Sequence, residues 1–377
     1  CAVRVQFHKK PSQTVDSMDK IPSGIVPNGH TTTLYTAWTS TDTTVDQVVV
    51  GSTPIAHPNM LGLFPKNLLN AGIKRAFRHK GSFYYSNLPA TRKSLNMDYP
   101  MNLQDLTTMY DFTGKTFAVT GGAGALGSDV VVALAGCGAN VMILDLRLGG
   151  VDAIKERLGE RASLVEAIEV NVMNRDSLVT AGEAIIKRFG QLYGLVNAAG
   201  GNSPRATVSS TMSYFDIPEE ALRFVLDLNI LGTMIPCQVL AKLMTETGEG
   251  VILNYSSMNA YRPLTNIAAY SASKAAITNF TSWLAVYLAQ NYSCNIRVNA
   301  IAPGFFLGEQ NRFLMIDKDT GGWTPRGQKI IDHTPMGRLG NPEDLLGCVL
   351  WLLSPAASFV TGITVPVDGG FSAYAGV

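Results

Sequence analysis

The chain is poor in histidine, has no paired cysteines, and carries no unbroken apolar run. Four of its five histidines, His8, His30, His57 and His79, precede residue 100, and His333 alone lies beyond. That scarcity excludes a histidine-based catalytic triad or a multi-histidine metal site from the larger part of the chain. The five cysteines, Cys1, Cys137, Cys237, Cys294 and Cys348, are scattered and show no CxxC spacing. A disulfide framework and a cysteine metal site are therefore excluded, and a reducing compartment, the cytoplasm, is expected. The most apolar stretch, VVVALAGCGANVMILDL, is broken by Gly138 and Asn140 and runs into Asp145. It is too interrupted to span a bilayer, so no membrane partner is expected. The N-terminus lacks a charged start followed by an apolar run, and no signal peptide is expected. Thirty Lys and Arg against 29 Asp and Glu leave a formal charge of +1, which gives no global case for nucleic acid.

Of the 377 residues 46% are hydrophobic and 16% charged, ample for a large core. The chain changes character near residue 100. Residues 1–100 contain no glutamate, a Thr/Ser-rich tract, TTTLYTAWTSTDTT, and a basic stretch, KRAFRHK. Periodicity is weak there and no repeat is present. The expectation is an N-terminal extension without assigned structure, disordered or a mis-called start, with Met97, Met101 and Met109 as alternative beginnings. The basic stretch around Phe77 could meet phosphate or membrane, or be a solvated charge run. From residue 101 short β-branched runs alternate with amphipathic stretches. KTFAVT, NVMILD, SLVEAIEV, YGLVNA, GVILNYSS, IRVNAIA and GITVPV recur at the spacing of βα units. They predict an α/β fold over residues 101–377, a Rossmann-type doubly wound parallel sheet of about seven strands with helices on both faces.

Between the first run and its helix lies TGGAGALG, Thr120 to Gly127. Gly121, Gly124 and Gly127 permit a tight turn and close approach to a pyrophosphate, and Ala125 and Leu126 open a helix whose free amides face it. Asp145 ends the next strand 24 residues beyond Gly121, close to the roughly 20 expected of a ribose-binding carboxylate. A carboxylate there repels a 2′-phosphate, so NAD is favoured over NADP. Arg147 nearby could accommodate such a phosphate or lie at the surface. NAAGG, Asn197 to Gly201, ends another strand. Its small residues Ala198, Ala199 and Gly200 let a cofactor lie across the strand end.

YSASK places Tyr270 four residues before Lys274, on one face of a helix. Ser257 lies thirteen residues before Tyr270. In this order TGGAGALG, NAAG, Ser257, YSASK and IAPG resemble the short-chain dehydrogenase/reductase family, from about Asp111 to the C-terminus. The resemblance implies that Tyr270 is the general acid/base, that Ser257 holds the substrate oxygen, and that Lys274 holds the nicotinamide ribose. It also implies that Asn229, in LDLNILG, anchors a water chain to the lysine; taken alone, Asn229 reads more readily as a satisfied helix polar. Asn171 and Val172 take the adenine-side position, Asn171 replacing the family's acid, and Pro303, Gly304 and Phe306 line the nicotinamide side. Gly308 stands where the family usually has a threonine that contacts the nicotinamide carboxamide. A free phenol has a pKa of about 10, and bringing it to neutrality takes about 4 kcal/mol of electrostatic help. Lys274 together with an oxidised nicotinamide is the expected source.

Further stretches, NAAGGNSP, SSMNAYRPLT, APGFFLGEQNRFL and VPVDGGFSAYAGV, resemble the family's D-mannonate oxidoreductase (fructuronate reductase) branch, near gluconate 5-dehydrogenase-like enzymes. The implied reaction interconverts D-fructuronate and D-mannonate with NAD(H), in hexuronate breakdown. A sugar-acid substrate wants a cation and amide groups, and Asn202, Asn259, Gln310, Asn311 and Arg312 are the candidates. A loop Asn or Gln serves turn chemistry as readily, and Arg312 could pair with a neighbouring acid. The family implies a homotetramer or dimer packed through the YxxxK helix. The apolar run FTSWLAVYLAQNY fits an interface or a core face.

Overall fold

The computed structural model of the chain describes residues 33–36, 48–51, 75–79, 82–86, 102–308 and 312–376. The chain divides into two units, Cys1–Met101 and Asn102–Val377. In the first, β1 (Thr33–Thr36), β2 (Val48–Gly51), β3 (Arg75–His79) and β4 (Ser82–Ser86) form an antiparallel sheet in the order β1-β2-β4-β3. The Thr-rich tract supplies β1, and the basic stretch supplies β3. Threonine and aromatic residues suit a pleated backbone even where no apolar alternation marks them. The rest of residues 1–100, and with it the expectation of disorder or a false start, lies outside the described residues.

In the second unit seven strands form an all-parallel sheet: β5 (Thr116–Thr120), β6 (Asn140–Asp145), β7 (Val165–Glu169), β8 (Gly194–Asn197), β9 (Gly250–Tyr255), β10 (Ile296–Pro303) and β11 (Thr364–Val367). Their spatial order is β11-β10-β9-β8-β5-β6-β7. The strand order reverses beside β5, between β8 and β6, and ligands of such sheets bind at the carboxyl ends there.

Alternating residues of each strand serve two cores. Phe117, Val119, Val141 and Ile143 face one side, where they meet the helical residues Val130, Val131, Leu134, Ile154 and Val349. Ala118, Met142 and Leu144 face the other, against the helical residues Leu178, Ile185, Leu240, Met244 and Leu288. In chain order the helices are α1 (Leu103–Thr108), α2 (Ala125–Gly136), α3 (Val151–Leu158), α4 (Arg175–Phe189), α5 (Glu219–Leu226), α6 (Gly232–Thr247), α7 (Ala268–Asn291), α8 (Arg312–Met315), α9 (Pro325–Asp332) and α10 (Glu343–Leu353). Burial on both faces explains why the strands read as continuous apolar runs rather than as alternating ones.

The stretch Glu219–Thr247 is long and apolar enough to cross a membrane by length and composition. It is α5 and α6 joined by a π turn, Asp227–Leu231, and its Val225, Cys237, Leu240, Ala241 and Met244 are buried in the protein core. Its apolarity is that of a core helix.

Candidate active site

The glycine-rich turn is built by steric necessity. Gly121 has φ +65°, and a Cβ there would come 2.8 Å from the Ala199 backbone. The turn after β5 therefore lies directly against the NAAG loop after β8. Gly127 starts the first turn of α2 against the Gly121 carbonyl, where a Cβ would collide. Gly124 is the N-cap of α2 and offers no side chain, and no acid occupies the helix's first turn. The amides that open α2 are thus left without intrahelical partners, in a cradle stripped of side chains. Asp145 stands beside it at the end of β6. Its Oδ2 accepts from the Ala123 amide at 3.0 Å and its Oδ1 from the Arg147 amide at 3.2 Å. Each oxygen keeps a lone pair for a ribose hydroxyl. A dinucleotide fits this arrangement: amides and helix dipole for pyrophosphate, carboxylate for ribose.

The other cofactor candidates are placed as follows. Asn171 Oδ1 already accepts from the Met173 amide at 3.0 Å, an Asx turn that leaves one lone pair for an adenine amine. Val172 is buried, its Cγ2 3.0 Å from where a Cβ on Gly232 would lie. The Ala198 amide donates to the Thr120 carbonyl at 3.2 Å and the Ala199 amide to Thr120 Oγ1 at 3.2 Å. The side chain of Asn197 turns away from this loop. Its Nδ2 donates to Asn254 Oδ1 at 2.9 Å, and Asn254 Nδ2 donates to Thr281 Oγ1 at 3.0 Å, stitching β8, β9 and α7 together. Asn197 Oδ1 is buried and has no partner among the described residues. Pro303 ends β10. Gly304 is packed where a Cβ would lie 2.7 Å from Asp368. Phe306 is buried with its ring over Gly340, in the loop that follows β10.

Tyr270, Lys274, Ser257 and Asn229 converge. Ser257 lies close enough to the Tyr270 hydroxyl to pull the phenol down. Lys274, one helical turn along α7, has its Nζ 5.5 Å from the Tyr270 ring centroid and donates to the Tyr255 carbonyl at 2.7 Å. Asn229 is turned inward by the π turn. Its Nδ2 donates to the carbonyls of Gly201 and Val225, both at 2.7 Å, and its Oδ1 accepts from the Gly201 amide at 3.1 Å. Asn229 and Lys274 meet around Gly200, where a Cβ would lie 2.7 Å from Asn229 Oδ1 and 3.4 Å from Lys274 Nζ. Gly200 is therefore part of the catalytic cluster as well as of the cofactor loop.

Electrostatically the protein alone works against charge on either partner. Burial pushes the Tyr270 phenol up, and the Ser257 hydrogen bond pulls it partly back. Burial lowers Lys274 from 10.5 to about 8. The expected lowering of the phenol is not supplied by Lys274 by itself, because desolvation outweighs a single neighbouring ammonium.

Among the substrate candidates, Asn259 is buried two residues past Ser257. Its amide donates to Ser257 Oγ at 3.3 Å, and its Oδ1 has no partner among the described residues. Asn202 Nδ2 donates to Thr207 Oγ1 at 2.8 Å, a local loop bond. Arg312 is exposed at the start of α8. Gln310 and Asn311 lie outside the described residues. Sequence reasoning missed the Tyr255 carbonyl, the Thr120 hydroxyl and Ser256, whose Oγ donates to the Lys274 carbonyl at 3.0 Å. The serine pair in NYSSM was a signal for the last of these. The carbonyl left none. Among the described residues no group of three or more His, Cys, Asp or Glu side chains gathers as a metal site.

Comparison with known proteins agrees with this geometry. Residues 121–372 match the family described as Enoyl-(Acyl carrier protein) reductase. The chain is 44% identical over 276 residues to the uncharacterized oxidoreductase UxuB of Bacillus subtilis, covering 71% of this chain and 98% of that protein. It is 41% identical to a Haemophilus influenzae protein, provisionally assigned as a D-mannonate oxidoreductase and crystallised with NAD bound. That match has a TM-score of 0.67 and covers 72% of this chain and all (100%) of that one. It is 29% identical over 265 residues to the 5-keto-D-gluconate 5-reductase of Escherichia coli, covering 70% of this chain and 98% of that enzyme. The chain belongs to the short-chain dehydrogenase/reductase family.

Proposed function

We propose that the chain is an NAD(H)-dependent reductase of keto sugar acids that interconverts D-fructuronate and D-mannonate. The observation that carries the chemistry is the convergence of Tyr270, Ser257, Lys274 and Asn229 at the carboxyl end of the sheet, with Lys274 Nζ 5.5 Å from the Tyr270 ring and held by the Tyr255 carbonyl. The amides opening α2 and Asp145 would hold NAD(H), which would supply the hydride acceptor or donor. Asp145 favours NAD over its 2′-phosphorylated form by charge repulsion.

The chain's own residues handle the proton. In the oxidative direction Ser257 and Tyr270 hold the substrate hydroxyl. The proton passes to the Tyr270 oxygen as the carbinol carbon loses its hydride, and the C–O bond becomes a carbonyl. In reduction Tyr270 returns that proton to the oxygen of the new alcohol. Lys274, fixed by the Tyr255 carbonyl and buried, lends positive charge to a phenolate where little water screens it. In the oxidative direction a bound, oxidised nicotinamide would add a second positive charge beside Tyr270, toward the lowering that Lys274 does not achieve alone.

The sugar-acid assignment is supported by the likeness to the Haemophilus protein and to UxuB. A second reading, reduction of a keto-gluconate, is favoured by the likeness to the Escherichia coli reductase. A homo-oligomer formed through α7 is supported by its outer face, where Trp283 stacks between Phe280 (6.1 Å) and Tyr287 (5.0 Å) and is 56% exposed. A cytoplasmic setting is supported by four free cysteines among the described residues.

The test is loss of NADH absorbance when the purified chain meets D-fructuronate, with Tyr270→Phe as control. Rapid oxidation that disappears in the control supports the reading. Oxidation by 5-keto-D-gluconate and not by D-fructuronate would move the assignment to the second reading.

A further inference from the structure

We propose that Arg262 is the residue that selects a carboxylate on the substrate. The inference rests on the keto-sugar-acid reading above and names the side chain responsible.

Arg262 belongs to the same rigid turn as Ser257. The Ala260 amide donates to the Ser257 carbonyl at 2.9 Å, and the Tyr261 and Arg262 amides donate to the Met258 carbonyl at 3.0 and 2.9 Å. This turn leaves β9 at the carboxyl edge of a parallel sheet. The segment following β11 leaves the same edge, so both lie on the side where Tyr270 and Lys274 work. Two bonds tie them together: Tyr261 Oη donates to the Thr364 carbonyl at 3.2 Å, and Arg262 Nε donates to the Ser372 carbonyl at 3.1 Å. Ser372 is itself fixed, because its amide donates to Asp368 Oδ2 at 2.8 Å.

The consequence is an oriented guanidinium. Its Nε is committed to a carbonyl that cannot neutralise it, and the two terminal nitrogens have no protein partner among the described residues. Asp368, the acid of that segment, spends its oxygens on the amides of Gly370 and Ser372. Elsewhere Arg157, Arg188, Arg205, Arg223 and Arg338 are each ion-paired, Arg297 is buried against carbonyls, and of the arginines outside any ion pair it is Arg262 that shares the turn carrying Ser257. Arg262 is exposed and unpaired. A planar fork with free parallel N–H groups is the partner a carboxylate takes bidentately. Ser257 fixes the reacting oxygen, and Arg262, one turn further, would fix the acid end.

The experiment compares kcat and KM for D-fructuronate with those for D-fructose, a ketose without the carboxylate, in wild type, Arg262→Gln and Arg262→Lys. The expected result is a fall of about 10- to 100-fold in the acid-over-neutral ratio of kcat/KM in Arg262→Gln, the size of one charged hydrogen-bonded pair. The loss appears in KM rather than kcat, and Arg262→Lys recovers part of it. A role limited to pinning the C-terminal segment would move both substrates together, and that outcome overturns the proposal. If wild type prefers the acid and Arg262→Gln keeps that preference, the proposal alone falls. If wild type prefers neutral ketoses, the keto-acid reading falls with it.

Discussion

Lys274 Nζ donates to the Tyr255 carbonyl at 2.7 Å while standing 5.5 Å from the Tyr270 ring centroid. The ammonium is thus anchored by the strand that delivers Ser257 and aimed at the residue that works with it. Tyr270 and Lys274 share α7, one turn apart, and the carbonyl that ends β9 fixes where the ammonium stands. Tyr270→Phe keeps the ring and its packing but removes the proton carrier. Turnover is expected to fall by about 10²- to 10⁴-fold, the range for a general acid/base. NADH binding, followed by fluorescence, is expected to remain within a few-fold. Loss of both together would mean that Tyr270 holds up the cofactor site and not the chemistry.

Lys274→Met is expected to abolish turnover and stabilise the cofactor-free protein. The lysine is buried and its value is lowered from 10.5 to about 8. Below about pH 8 the lysine is charged in folded and unfolded chains alike, and the folded chain carries the whole penalty, about 3 kcal/mol at 1.36 kcal/mol per pH unit. Between about 8 and 10.5 the unfolded chain binds the proton and the folded chain does not, so wild-type stability rises with pH. The advantage of the methionine variant is therefore largest near pH 7 and shrinks toward pH 10.5. Melting temperatures of both proteins across that range check the sign. A gap that widens with pH would refute it.

The parts of this site that could be read in the sequence are those where residue type is forced. Gly121 and Gly127 must lack a Cβ, Asp145 must end a strand, and Tyr270 and Lys274 must share a helical face. The seven parallel strands were legible because both their faces are buried. What escaped depends on backbone groups and on register. The Tyr255 carbonyl carries no residue signature. The inward turn of Asn229 comes from a π turn that no spacing announces. The β8–β9 register sets Asn197 opposite Asn254, and the bond between the two amides is one that residue type alone does not announce. The strands of the N-terminal unit lacked the alternation that a half-buried sheet usually prints on its sequence.

Asp145 is expected to decide between NAD and NADP. Its carboxylate is held at the mouth of the glycine turn by the Ala123 and Arg147 amides, so its charge is fixed where a 2′-phosphate would come. Asp145→Ser keeps an acceptor and removes the charge. The NADP-to-NAD ratio of kcat/KM is expected to rise about tenfold or more, helped by Arg147, since one repelled charge near a surface is worth about 1–4 kcal/mol. An unchanged ratio would locate the selectivity elsewhere.

Thr116 opens β5 wholly buried, and its Oγ1 has no partner among the described residues. Its carbonyl is satisfied by the Tyr193 amide at 2.9 Å, so the ladder does not depend on the hydroxyl. The side chain is β-branched, as a central strand prefers, and valine keeps that shape. Thr116→Val removes a buried hydroxyl that has lost its water and gained no bond. It is expected to stabilise the protein by about 1 kcal/mol, read as a rise in the denaturation midpoint at unchanged slope. A lower midpoint would show that the hydroxyl is bonded in solution, most simply to a buried water, and that its burial is compensated.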